Sequence, residues 1–136
     1  ISTLKYRALV NSPSNSICHY STEIKCGKNI KVGNNTRIGP NCTLGGYGGI
    51  VIGENVVISS FVIIETAGLI LKNGPPYDKH FGKKIIIEDG VWIGSNSLVL
   101  NGVTIGENSI IGAGTVITKD IPKNSIIVGS VNRKIK

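Results

Sequence analysis

Residues 87–117 read IEDGVW IGSNSL VLNGVT IGENSI IGAGTV I, and the spacing inside that line decides the fold. An aliphatic residue returns every six places, as Ile87, Ile93, Val99, Ile105, Ile111 and Ile117. Four places after each stands a second apolar or small residue: Val91, Ser97, Val103, Ser109, Thr115 and Ile121. A period of six fits neither a helix, with 3.6 residues per turn, nor plain strand alternation. It suits a short strand and a tight corner, repeated, so that the chain winds as a coil. Successive turns then stack through parallel-strand hydrogen bonds at ~4.8 Å, with both marked positions pointing inward. Gly and Asn are expected at the corners because they tolerate positive φ.

The repeat extends upstream. Cys26-Gly27, Val32-Gly33, Ile38-Gly39 and Leu44-Gly45 keep the six-residue step. After Gly45-Gly46-Tyr47-Gly48-Gly49 the phase slips by two and resumes at Ile52, Ile58 and Ile64, with Ile70 as a candidate fourth unit. The repeat is expected to fill residues 24–136. Residues 1–23 show no repeat and are expected to form an irregular amino-terminal segment with a turn near Pro13. Between the blocks, residues 68–84 read GLILKNGPPYDKHFGKK and break the pattern, predicting one protruding loop. A prism of perfect repeats has no pocket, so this interruption is where a site is expected.

Composition agrees with strands and turns. Ile and Val together number 35, against 7 Leu, 3 Ala and no Met, while Gly reaches 18. Helix formers are scarce and β-branched residues abundant. At 136 residues, one domain with one modest core is expected. No apolar run approaches the ~18 residues of a membrane-spanning helix, and no secretory leader opens the sequence, so a cytoplasmic protein without membrane association is expected. Three cysteines, Cys18, Cys26 and Cys42, contain no CxxC pair, which argues against a disulfide framework and a zinc ribbon. Cys26 and Cys42 fall on inward repeat positions and read as core thiols. The net charge of +7 keeps an anionic partner open. Nucleic acid is not expected, since the sequence offers neither a reading helix nor an aromatic platform. With only His19 and His80, the three-His zinc site of a β-helical carbonic anhydrase cannot be built, and no metal is expected.

The run Ile87 to Ser95, then Asn101 to Gly106, Ile111 to Pro122 and the closing Ile127 to Lys136, resembles the hexapeptide-repeat acyltransferases. Within them it is most similar to the sugar O-acetyltransferase branch, which includes the maltose, galactoside and virginiamycin acetyltransferases. The resemblance implies a left-handed parallel β-helix, although the general rule for parallel crossovers favours the right hand. It also implies a homotrimer and acetyl-CoA lying in a cleft between subunits. By the same resemblance Trp92, Gly94 and Ser95 line the pantetheine arm and Ala113 gives backbone contacts. Thr118 and Lys119 meet the diphosphate end, and Arg133 and Lys136 lie near the 3′-phosphate. Residues 119–136 hold a net of +4 of the chain's +7, which suits that end of the donor.

In the family a His at the base of such a loop deprotonates the acceptor hydroxyl, a task for an imidazole near pKa ~6.5. The family register carries that His onto Gly68 or Leu69, and the acceptor-contacting Asn and Asp onto Gly39 and Tyr47. None of these matches. His80, inside the interruption, is the candidate general base, reaching the site from the far side of the loop. The competing reading is a solvated His among Lys79, Lys83 and Lys84. A backbone N–H near the Gly94 turn is the candidate oxyanion donor. Glu65, Asn41 and Tyr77 are candidate acceptor contacts because they flank the interruption or the Gly-rich slip. The expected activity is acetyl-CoA-dependent O-acetylation of a sugar or related hydroxyl. The alternative is a non-catalytic trimeric scaffold or CoA-binding pseudoenzyme.

Overall fold

In the computed structural model, which describes Tyr6 and residues 9–13, 15–70, 79–129 and 133–136, the chain is a left-handed parallel β-helix of about 5 turns. Three ladders of short parallel strands form its faces. The first stacks Ile30–Val32, Ile50–Ile52, Ile85–Ile87 and Thr104–Ile105. The second stacks Ile17–Cys18, Arg37–Ile38, Val57–Ile58, Trp92–Ile93, Ile110–Ile111 and Ile126–Val128, and Arg133–Lys134 turns back on it antiparallel. The third stacks Glu23–Lys25, Thr43–Gly45, Ile63–Glu65, Leu98–Val99 and Val116–Ile117.

Both inward positions of the repeat become core. Ile87, Ile93, Val99, Ile105, Ile111 and Ile117 are buried, and so are all six of their partners four places on. Each buried aliphatic side chain contributes about 1.5–3 kcal/mol relative to exposure. The inward hydroxyls find carbonyls at the corners: Ser97 Oγ donates to Gly112 O at 3.1 Å, Ser109 Oγ to Pro122 O at 3.0 Å, and Thr36 Oγ1 to Gly53 O at 2.7 Å. These groups are buried without being orphaned.

The glycine after each aliphatic residue has a different cause from the expected positive φ. Gly33, Gly39, Gly94 and Gly106 lie outside the left-handed region, but a Cβ on Gly33, Gly94 or Gly106 would strike the backbone of the next coil, and one on Gly39 would sit tight against it at 3.0 Å. The clearance would be 2.5 Å at Gly33, to the carbonyl carbon of Gly53, and 2.6 Å at Gly94, to the amide nitrogen of Ala113. Positive φ is carried by asparagine at positions 35, 41, 55, 96, 108 and 124 and by glycine at 49, 90, 102, 114 and 129, as expected for the corners. Two of these also link coils, Asn35 Nδ2 donating to Asn55 Oδ1 at 2.8 Å.

The amino-terminal boundary moves. Ile17–Cys18 pairs in parallel with Arg37–Ile38, and Asn11 bridges Lys31, so the coil starts before residue 24. Cys18 and Ser16 are its inward residues there, and their polar or sulfur character hides the repeat. Cys26 falls out of phase. It is exposed, at φ 52, opening the short 3-10 turn Gly27–Asn29. Cys42 is buried as expected.

Register explains the slip of two. Ile38 pairs with Ile58, twenty residues on, whereas Ile93 pairs with Ile111, eighteen on. The early turns spend the extra residues at the corner between the third and first faces, as Lys25 to Asn29 and Gly45 to Gly49. In the next turn the chain leaves the coil at that same corner. Ala67–Leu69 pairs antiparallel with His80–Gly82, and the coil resumes at Ile85. Ile70 is the end of this ribbon and not a repeat unit. Among the described residues no helix is long and apolar enough to cross a membrane.

Candidate active site

Three expanded corners stacked on one edge make a concavity. Lys25, Cys26, Gly45, Tyr47, Glu65, Ala67 and His80 line a cleft of about 520 Å³. Its floor is the end of the third face, its wall the ribbon that starts at Ala67.

Glu65 is fixed from two sides. Its Oε1 accepts the Ala67 N–H at 3.0 Å, and its carboxylate lies against Gly45, where a Cβ would collide with it. Among the described residues Lys25 pairs with Glu23 at 3.7 Å, and Glu65 makes no ion pair. His80 stands directly across the ribbon from Leu69, with Phe81 opposite Gly68 and Gly82 opposite Ala67. Alternation along the strand puts His80 and Gly82 on one side and Phe81 on the other. Phe81 covers Gly68, where a Cβ would meet the ring. Gly82 packs backbone to backbone on Gly48 and against the Tyr47 ring. His80 is exposed and lines the cleft together with Tyr47 and Glu65.

The other candidates lie elsewhere on the prism. Trp92 projects from the second face, 52% exposed, its Nε1–H donating to Ser59 Oγ at 3.2 Å. Gly94, Ser95 and Ala113 form the corner between the second and third faces on adjacent coils, joined by the Gly114 N–H to Ser95 O bond at 2.8 Å. The Gly94 N–H donates to Ile111 O at 2.7 Å, so it is engaged in the ladder and is not available as an oxyanion donor. Thr118 and Lys119 open the corner between the third and first faces near the carboxy-terminal end. Arg133 is in the returning strand opposite Val128, and Lys136 is exposed beyond it. Asn41 occupies a left-handed corner at φ 56 between the second and third faces, its N–H bonded to Ser21 Oγ at 2.8 Å. The third-face strand Thr43–Gly45 separates it from the Gly-rich slip. Tyr77 lies outside the described residues. Trp92, Gly94, Ser95 and Ala113 are therefore away from the edge that carries the His80 cleft, whereas Thr118 and Lys119 lie on that edge farther toward the carboxy-terminal end.

Sequence reasoning located the slip at residues 45–49 but missed the matching expansion at 25–29, and with it Lys25 and Cys26. Tyr47 was read as a lost family position and proves to line the cleft. Of the thiols, burial pushes Cys18 up to about 11 and pushes Cys42 up as well. Cys26 is open to the cleft, not part of the core.

Comparison with known proteins agrees with this architecture. Residues 84–119 match the bacterial transferase hexapeptide (six repeats) model, and residues 29–65 match the hexapeptide repeat of succinyl-transferase. A galactoside O-acetyltransferase of Lactococcus lactis is 40% identical over 94 residues, covering 63% of this chain and 44% of the relative. The chain thus spans less than half the length of that curated relative. A maltose O-acetyltransferase structure from Clostridium difficile superimposes with TM-score 0.85 at 34% identity, covering 96% of this chain and 71% of the other. A hexapeptide-repeat acetyltransferase from Vibrio cholerae, solved with acetyl-CoA, gives TM-score 0.89 at 30% identity, covering 96% and 73%.

Proposed function

This chain belongs to the hexapeptide-repeat acetyltransferases, and from that membership we propose that it transfers the acetyl group of acetyl-CoA to a hydroxyl of a sugar-type acceptor. The observation that carries the reading is the place of His80. The residue type the family needs is absent at Gly68 and Leu69, yet His80 is the cross-strand partner of Leu69 and lines the cleft with Tyr47 and Glu65. The imidazole takes the proton of the acceptor hydroxyl as that oxygen attacks the thioester carbonyl. The proton then goes to the departing CoA sulfur as the tetrahedral intermediate collapses. Glu65, oriented by the Ala67 N–H, and Tyr47 hold the acceptor from the opposite wall.

Acetyl-CoA is the co-substrate in this reading, and Trp92, Gly94, Ser95, Ala113, Thr118, Lys119, Arg133 and Lys136 are its proposed contacts. Most of them lie away from the His80 cleft, so a complete site needs the edges of two copies to meet. A homotrimer meets that need. What supports association is the second face, whose outward side chains Ile17, Val57, Trp92 and Ile110 are exposed and apolar.

The test is calorimetric titration with acetyl-CoA, followed by thiol release over a panel of sugars. Micromolar binding near one site per chain, weakened by Lys119→Ala, supports the donor assignment. His80→Ala should lower turnover by ~100-fold with acetyl-CoA affinity nearly unchanged. Unchanged turnover in that variant removes His80 from the mechanism. No binding at millimolar acetyl-CoA would leave the second reading, a β-helical scaffold.

A further inference from the structure

Where the ribbon leaves the coil, one buried threonine joins the Gly-rich corner to the ribbon, two of the segments that shape the cleft. Thr66 is fully buried, between Glu65 and Ala67, both on the cleft wall. Its Oγ1 donates to Gly45 O at 2.5 Å and accepts the Gly48 N–H at 2.8 Å. Its main-chain N–H donates to Gly45 O at 3.1 Å, and its carbonyl accepts the Lys83 N–H at 3.0 Å. All three polar groups of this residue are used, in four hydrogen bonds that join the Gly-rich corner to the returning strand of the ribbon.

That corner is also where the ribbon touches the coil. A Cβ on Gly82 would come within 2.7 Å of Gly48 Cα, and a Cβ on Gly48 within 2.6 Å of Lys83 N. Gly82 is on the same side of its strand as His80, two residues away. The height at which Gly48 is held by Thr66 thus sets how far the His80 strand stands from the cleft floor. Ordinary coil positions also carry hydroxyls that donate to one corner carbonyl and accept one N–H, as at Thr36 and Ser109. Thr66 differs in its partners, both of which belong to the Gly-rich corner on which the ribbon rests.

We propose that Thr66 is a positioning residue, whose hydroxyl, acting through the Gly48–Gly82 contact, holds His80 against Glu65 and Tyr47. The catalytic consequence rests on the reading of His80 as general base; the positional claim does not. A valine at this position keeps the shape but leaves the Gly48 N–H and Gly45 carbonyl without their side-chain partner, while serine keeps the bonds.

The experiment records the histidine ring resonances of the whole labelled chain by NMR, assigned with His80→Gln and His19→Gln. In Thr66→Val the His80 signal should shift or split while that of His19 stays in place, and Thr66→Ser should restore the wild-type position. Gly82→Ala, which displaces the strand without removing a hydrogen bond, should also move the His80 signal and covers the case in which the valine variant does not fold. A His80 signal unchanged in Thr66→Val or in Gly82→Ala overturns the proposal. The kinetic arm uses whichever sugar of the panel supports thiol release. Thr66→Val should lower kcat at least 10-fold with the KM for acetyl-CoA unchanged, and should cause no further loss in a His80→Ala background. An equal loss in both backgrounds makes Thr66 merely structural and overturns its positioning role. Full activity of His80→Ala itself, with the His80 resonance still moved by Thr66→Val, refutes the general-base reading and leaves the positional claim standing.

Discussion

Gly94→Ala and Gly114→Ala separate two reasons for glycine on adjacent coils. A Cβ at Gly94 would lie 2.6 Å from Ala113 N and 2.8 Å from Ile111 O, both backbone atoms that cannot turn away. Reaching an ordinary contact of 3.4 Å requires the coils to part by roughly 0.8 Å, a large fraction of the slack in a stack spaced at ~4.8 Å. The Gly94 N–H to Ile111 O bond, 2.7 Å long, lengthens with it. Overpacking of this kind costs about 1–3 kcal/mol, and the weakened ladder bond puts this case near the upper end. At Gly114 the situation is reversed: nothing lies within 4 Å of the added carbon, but φ is +70. The left-handed conformation costs an L-residue about 1–2 kcal/mol, partly offset by the stiffer unfolded chain. Urea unfolding at one fixed protein concentration should therefore order the stabilities as wild type, then Gly114→Ala, then Gly94→Ala, with the last about 3 kcal/mol below wild type. A Gly94→Ala midpoint equal to wild type, or a Gly114→Ala midpoint below that of Gly94→Ala, refutes the close-approach argument. The same pair bears on the donor site, because it gives Gly94 a structural cause that needs no ligand.

Thiol labelling of the native protein should modify Cys26 quickly and leave Cys18 and Cys42 protected until denaturant is added, since Cys26 is exposed and the others are buried; three fast thiols would contradict the burial. Alkaline stability should fall between pH ~9 and ~11. The folded-state pKa of Cys18 is raised by burial, to about 11, so its contribution is complete below the unfolded thiol pKa and is lost as pH rises through the folded one. Two units correspond to at most about 3 kcal/mol, and Cys18→Ala should flatten that limb of a pH series of urea midpoints. Trp92 is the only tryptophan and half-exposed on the apolar second face. Its emission should move to the blue as protein concentration rises and copies associate, and a spectrum independent of concentration in an assembled sample would take that face out of the interface.

The coil was legible in the sequence because its signal is local and redundant. Six unbroken units from Ile87 to Ile117 leave one solution for burying an aliphatic residue every sixth place, and the coil follows from that periodicity, while its left hand followed only from the family resemblance. The interruption at residues 68–84 was equally plain, and with it the region of the cleft and the candidacy of His80 and Glu65. What the sequence alone could not give was anything that depends on which residues lie one coil apart. Apart from the turn that carries the ribbon, coil length runs from sixteen residues, Ile111 to Ile127, to twenty, Ile38 to Ile58, so the neighbours of a position are set by where the extra residues are spent. That is why Cys26 moved from core to cleft, why Cys18 joined the coil, and why Asn41 went to another corner. The repeat glycines looked like a conformational requirement and proved, at Gly33 and Gly94, to be a clearance between stacked backbones. The cross-strand pairing of His80 with Leu69 and the four bonds of Thr66 likewise exist only once the ribbon folds back, since they join residues that periodicity leaves unrelated. The sequence determined the coil through local burial, and the tertiary structure decided the site through contacts between turns.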